Sequence, residues 1–312
     1  SEEPAKESAS AGRAVARSAG CDDAGLHVAV GFPDVYSLAG PANMNIGTGR
    51  GEKSLAERLT MNTSRRISGG GLMVAALWMG LSATAVWAGE PEKKADPGKI
   101  HLVGEDLSTW SGDTGEWKIV GSVKMDPEEN RRFVSSSGAG VAINGPTGRT
   151  RNLLSKHEHG DVVAHIEFMV PKGSNSGVYF QGRYEVQILD SWGVRKLKHG
   201  DCGGIYQRWA DGRGFEGRPP RLNASRPPGE WQTFDCIFLA PRFDAKGKKI
   251  ANAKFVKVVH NGKVVHEDAE VTGPTRAAAF SDEKPTGPLM LQGDHGPVAY
   301  RNIWLKPLQR DE

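Results

Sequence analysis

The sequence predicts an all-β fold, a jelly-roll-like sandwich of two antiparallel sheets. Short β-rich runs alternate apolar and polar residues with a period of two, and turns rich in Gly and Pro separate them, 40 Gly and 18 Pro in 312 residues. No helical period of useful length competes with that pattern. An apolar content of 38% with 25% charged residues suffices for a core and excludes both a disordered chain and a multi-span membrane protein. Basic and acidic residues are nearly balanced, with a net charge of +3, which gives no reason to expect a nucleic-acid partner. Three widely separated cysteines exclude a disulfide-rich scaffold and a closely spaced zinc site.

The elements follow in chain order. Val162 to Val170 is a strand with Ala164, Ile166, Phe168 and Val170 on one face and His165 and Glu167 on the other. Pro171 to Gly177 breaks it, and Val178 to Gln181, the turn pair Gly182-Arg183 and Tyr184 to Asp190 then form a hairpin. Further strands are expected at Phe234 to Leu239, Phe255 to His260, Lys263 to Glu267 and Tyr300 to Leu305. Asn261-Gly262, between two of them, is the strongest short-range hairpin signal in the chain. No internal repeat is present.

Upstream of these strands the chain reads differently. The basic pair Arg65-Arg66 follows Met61, an apolar run extends from Leu72 to Met79, and small residues stand around Ala88, the order of a secretory signal peptide cut after Ala88. Glycines and Ser/Thr interrupt the run, so a transmembrane anchor is not expected to remain after cleavage. Residues 1–60, rich in Ala, Gly and Ser, are read as a non-native or disordered extension from an over-extended start, 61–88 as the signal, 89–99 as a linker and 100–308 as one domain. The expected location is periplasmic or secreted. Cys202 and Cys236 then share an oxidising compartment, where a disulfide and two buried thiols are both compatible with the sequence.

One strand concentrates polar groups. With Val186 and Ile188 directed to the core, Glu185 and Gln187 lie on the opposite face, flanked by Gln181, Arg183, Asp190 and Trp192. On an arbitrary strand this would be a solvated outer face. Here bidentate groups beside an aromatic platform suit a sugar ring, so Gln181, Gln187 and Asp190 are candidates to bind hydroxyls and Trp192 to stack.

Several ordered motifs, Asn175-Ser176-Gly177-Val178-Tyr179, Gly182 to Ser191, Cys202-Gly203-Gly204-Ile205-Tyr206, Asn223 to Trp231, Gly287 to Gly296 and Arg301 to Leu308, together resemble the 3-keto-disaccharide hydrolase domain family. The resemblance spans Ile100 to Leu308. It implies a concanavalin-like jelly roll, export from a bacterium and cleavage of glycosides oxidised to a ketone at C3, and it adds Tyr206 to the sugar-binding candidates.

Such a ketone acidifies the C2 proton, so one base can drive elimination of the C1 substituent, with water adding later. Glu185 is the candidate base or metal ligand. Lys156, His295 and Arg301 are candidates to stabilise the oxyanion or protonate the leaving group. Each has a plainer reading: Lys156 as a snorkelling surface lysine, His295 as a turn cap, Arg301 as an ion-pair partner. No His/Asp cluster at ligand spacing supports a divalent cation, although ligands can converge from distant strands.

Two rival readings remain. Glu185 to Asp190 resembles a degraded E-x-D-x-x-E strand of laminarinase-like glycosidases, which needs a bulge to bring both carboxylates to one face. A carbohydrate-binding module without turnover would use the same fold.

Overall fold

The computed structural model describes residues 96–309. The expected extension, the signal peptide and most of the linker lie outside the described residues. Within them are seventeen strands and no helix, in chain order β1 (Ile100–His101), β2 (Trp110–Ser111), β3 (Lys118–Met125), β4 (Phe133–Ile143), β5 (Leu153–His159), β6 (Val162–Met169), β7 (Asn175–Phe180), β8 (Tyr184–Leu189) and β9 (Arg208–Ala210). They continue with β10 (Arg213–Phe215), β11 (Gln232–Leu239), β12 (Arg242–Phe243), β13 (Lys249–Ala251), β14 (Ala253–His260), β15 (Lys263–Val271), β16 (Gly287–Leu291) and β17 (Ala299–Pro307).

The strands form the expected jelly-roll sandwich. The large sheet runs β15, β14, β11, β6, β17, β4, β3, with β1 also on β17; the small sheet runs β2, β5, β16, β7, β8. All pairs within both sheets are antiparallel. The core lies between the two sheets. Ala164, Ile166 and Phe168 of β6 and Phe234, Cys236 and Phe238 of β11 face Val178, Phe180, Tyr184, Val186, Ile188, Leu289 and Leu291 of the small sheet. Phe180 and Tyr184 cross to Phe238 at ring separations of 5.1 and 5.5 Å. Each such aromatic or branched side chain contributes roughly 1.5–3 kcal/mol by leaving water. Cys202 and Cys236 are free thiols buried in this core, so no disulfide joins them.

Turn chemistry explains both hairpins. Asn261 and Gly262 adopt φ of 48° and 78°, the left-handed pair a two-residue I′ turn requires, and β14 and β15 diverge from it as expected. The β7–β8 turn has three residues rather than the pair Gly182-Arg183: Gln181 (φ 53°) and Gly182 (φ 65°) are left-handed, and Arg183 completes it. Arg183 is pinned there by the Asp282 side chain at 2.8 Å and the Gln181 carbonyl at 2.8 Å.

At the N-terminal end the last linker residues pack on β17. The Asp96 carboxylate pairs with Lys306 at 2.9 Å, and the Lys99 ammonium lies 4.0 Å over the Trp304 ring. Among the described residues no helix is long and apolar enough to cross a membrane.

Candidate active site

The ladder between β7 and β8 runs without a register shift from Asn175 opposite Leu189 to Phe180 opposite Tyr184. Strict alternation therefore holds, and Glu185 and Gln187 project from the face of the small sheet turned away from the core. The absence of a bulge also removes the laminarinase-like arrangement, since Asp190 never returns to the side of Glu185. Asp190 closes a loop instead, accepting the Gly173 amide at 2.9 Å and the Trp192 amide at 3.4 Å.

Cross-strand pairing sets Leu154, Met290, Tyr179 and Glu185 in one row across β5, β16, β7 and β8. At the free edge of β8, the Tyr206 amide donates to the Glu185 carbonyl at 3.1 Å and the Glu185 amide to Thr275 Oγ1 at 3.1 Å. These segments cover the edge and enclose the site. Glu185 is only 2% exposed, and its Oε2 has no hydrogen-bond partner. The carboxyl rests over Gly177, where a Cβ would fall well inside contact with Oε1 and 3.0 Å from Cδ.

Burial pushes the Glu185 carboxyl up to about 8, with the Asp294 charge adding to the rise and the Tyr179 hydroxyl opposing it. Tyr179 is itself raised by burial and by the Glu185 charge. Its hydroxyl meets the Glu185 carboxyl and makes a long bond, 3.4 Å, to the Arg276 carbonyl. Asp294 arrives from the loop after β16, which is tied to the same spot by the Gln292 amide donating to the Gly177 carbonyl at 2.9 Å. His295 follows it, half-exposed, with Nδ1 2.5 Å from Asp294 Oδ1.

The other sequence candidates divide. Gln187 lies on the site face, its amide nitrogen donating to Asn175 Oδ1 at 3.1 Å. Tyr206 stands beside Glu185 with its ring edge-on to His199 at 5.4 Å. Trp192 is 57% exposed and free to stack. Lys156 is exposed on β5, three strand spacings or about 14 Å from β8, and does not reach Glu185.

Gln181 and Arg301 require correction as site residues. Gln181 is fully buried, its amide nitrogen spent on the His159 and Pro285 carbonyls at 3.2 and 2.9 Å. Its backbone amide donates to His159 Nε2 at 3.1 Å, so it locks the hairpin turn rather than a ligand. Arg301 belongs to β17 of the large sheet, where it pairs with Glu167 at 2.6 Å and covers the Trp231 ring at 4.0 Å. The opposite face of β17 carries Tyr300 into the core, which places Arg301 on the far side of the sandwich from Glu185.

Tyr179 and Asp294 are the residues that sequence reasoning missed. Tyr179 stands opposite Glu185 only because the turn has three residues, since the expected pair Gly182-Arg183 would have set Phe180 there and Tyr179 opposite Val186. Asp294 had no local signal. Among the described residues, no three His, Cys, Asp or Glu side chains converge on a metal position.

A two-sheet jelly roll whose outer sheet face buries a carboxyl, one oxygen of it without a partner, among tyrosines and amides suits a carbohydrate-processing enzyme. Residues 98–306 match the model of the 3-keto-alpha-glucoside-1,2-lyase-like domain, and the chain belongs to that family. A crystal structure from Parabacteroides distasonis ATCC 8503, provisionally named a glycosyl hydrolase, is 29% identical, with a TM-score of 0.52 over 68% of this chain and 84% of that one. A second protein of that organism, also provisionally named a glycosyl hydrolase, is 20% identical over 67% of this chain and 99% of that one, with a TM-score of 0.45. No curated protein matches the chain in sequence.

Proposed function

We propose that the protein is an exported enzyme that cleaves 3-keto-glycosides by elimination, with Glu185 as the base. The observation that carries this reading is the Glu185 carboxyl itself, buried, without a partner at Oε2 and raised to about 8. A binding module gains nothing from such a group, whereas a base drawing a proton from carbon needs a carboxylate made more basic than usual.

In the proposed reaction ionised Glu185 takes the C2 proton. The C2–H electron pair becomes the enolate π bond, and charge moves to the C3 oxygen. The enolate then re-forms the ketone, a C1–C2 double bond forms, and the C1–O bond breaks with its electrons leaving on the aglycone oxygen. No oxidant is consumed, and water can add to the unsaturated product afterwards. Tyr179, whose hydroxyl lies between the Glu185 carboxyl and the Arg276 carbonyl, is the donor for the C3 oxyanion. His295, oriented through Nδ1 by Asp294, presents Nε2 to the leaving oxygen. Gln187 and Asn175 bind hydroxyls, and Trp192 offers an outer stacking face.

The test is incubation of purified protein with a 3-keto-glucoside and with its unoxidised parent, each with and without chelator. Cleavage of the keto-glucoside alone is expected. Equal cleavage of the parent sugar, or none of either, contradicts the reading, and loss of turnover with chelator would add a metal to it. Export rests on the Arg65-Arg66, apolar-run and Ala88 pattern, and sequencing secreted material should place its N-terminus at Gly89.

A further inference from the structure

The loop between β15 and β16 crosses the free edge of β8 and sets one arginine beside the site. Thr275 donates its amide and its hydroxyl to the Arg183 carbonyl, both at 2.9 Å, and its Oγ1 accepts the Glu185 amide at 3.1 Å. Arg276, the next residue, receives the Tyr179 hydroxyl on its carbonyl at 3.4 Å and gives its amide to the Gln207 carbonyl at 2.8 Å. That second bond holds it against β9, where its guanidinium lies 3.9 Å over the ring of Trp209, itself 45% exposed. We propose that the Arg276 guanidinium, stacked on Trp209, binds an anionic group at the C4–C6 end of the sugar, a C6 carboxylate or phosphate, so that acidic 3-keto-glycosides are the preferred substrates. The inference rests on the 3-keto-glycoside reading and names a substrate class within it.

The surroundings of Arg276 point that way. Among the described residues its guanidinium has no ion-pair partner and no side-chain hydrogen bond, although the group carries five N–H donors. Glu216, in the segment after β10, is spent on Arg208 and Thr272 and does not compensate the charge. Stacking occupies the flat face of the guanidinium and leaves its N–H edge open, ordered in advance for the paired oxygens of a carboxylate or phosphate. Ala277, which follows, takes a left-handed φ of 65°, a conformation that is costly for alanine and that collects at ligand clamps. The reaction geometry orients the sugar. With C1 toward His295 and the C3 oxygen at the Tyr179 hydroxyl, the ring atoms beyond C3 run toward Arg276, whose carbonyl that hydroxyl meets.

Truncation of the Arg276 side chain leaves its main-chain bonds to Tyr179 and Gln207 in place. Arg276→Ala and Trp209→Leu of the full chain are therefore compared with the parent on three substrates: methyl 3-keto-glucoside, the corresponding 3-keto-glucuronide and the corresponding 6-phosphate. The parent is expected to favour at least one acidic substrate over the neutral one by about tenfold or more in kcat/KM. Arg276→Ala should lower kcat/KM for that acid about 10- to 100-fold, mainly through KM, and Trp209→Leu should lower it less. The neutral substrate should lose less than about threefold in either variant. Preference for the uronide or for the phosphate identifies the anion. A parent that favours neither acid, or an Arg276→Ala loss equal on all three substrates, would overturn the site. Failure of the parent on all three would sink the 3-keto reading instead. The anion site is then decided by NMR titration with glucuronate, glucose 6-phosphate and glucose. Amides of Trp209, Arg276 and Ala277 that shift with an acid but not with glucose, and no longer shift in Arg276→Ala, support it; amides that respond to none of the three, or to glucose equally, overturn it.

Discussion

The Glu185 carboxyl lies over Gly177, its diagonal neighbour across the β7–β8 ladder, closer than a methyl group on Gly177 would allow. The φ of Gly177 is not left-handed, so the backbone would accept another residue. Space is what requires glycine there.

Gly177→Ala is accordingly expected to displace the carboxyl and leave the sheet intact. Positioning losses of this kind cost about 10²-fold in rate. Turnover of a 3-keto-glucoside and circular dichroism should separate the two effects, and unchanged turnover would mean that the carboxyl position does not matter.

Glu185→Gln should lose activity and gain stability. An unfolded Glu titrates near 4.5, whereas the folded group titrates near 8, so the native state holds this proton more tightly. Stability therefore falls as pH rises from 4.5 to 8, and the full cost persists above 8. The variant is expected to unfold at a higher temperature than the parent at pH 9 and at nearly the same temperature at pH 4.5, with turnover down at least ~10²-fold. Val186→Ala provides the contrast, losing roughly 1–3 kcal/mol of stability with chemistry retained in the folded fraction. A Glu185→Gln protein less stable than the parent at pH 9 would contradict the burial argument.

Arg301→Ala should behave as a structural change on the far sheet. Loss of a partly exposed ion pair and of the stacking on Trp231 costs about 1–2 kcal/mol. The measurement is kcat/KM beside chemical denaturation, with kcat/KM expected within about twofold of the parent. A large loss of kcat/KM in folded protein would return Arg301 to the site.

His165, on the same outer face, makes a second contribution to the pH dependence of stability. Burial alone would lower its pKa, but hydrogen bonds to Asp235 and Glu167 and their charges raise it to about 9. That stabilisation is complete below 6.5 and is lost as pH rises through 9. His165→Gln should flatten the fall in unfolding temperature between pH 7 and 9.5, and an unflattened curve would place the titration elsewhere.

What the sequence revealed depended on whether the signal was local. Alternation in β8 separates Val186 and Ile188 from Glu185 and Gln187 because one face packs against Phe238 and its neighbours, and burial forces a period of two. The same alternation sends Arg301 outward from β17 but does not say from which sheet. That depends on β17 joining β6 and β4, a long-range pairing absent from any local window. β3 and β4 left little trace because β4 exposes more than half of its residues, the Ser135-Ser136-Ser137-Gly138 stretch above all, and only Val120 of β3 is buried. Asp294 acts on Glu185 from a loop held by the Gln292–Gly177 bond and by Asn144 and Asn152 on Gly293, all between residues far apart in the chain.

The most direct test of Glu185 as the carbon base is the pH dependence of C2–H loss from a 3-keto-glucoside in D2O, followed by NMR. Loss of the C2 signal is expected to precede or accompany C1–O cleavage, to rise with pH around an apparent pKa near 8 and to disappear in Glu185→Gln. Cleavage that leaves the C2 hydrogen in place, or C2–H loss undiminished in the variant, would contradict the assignment.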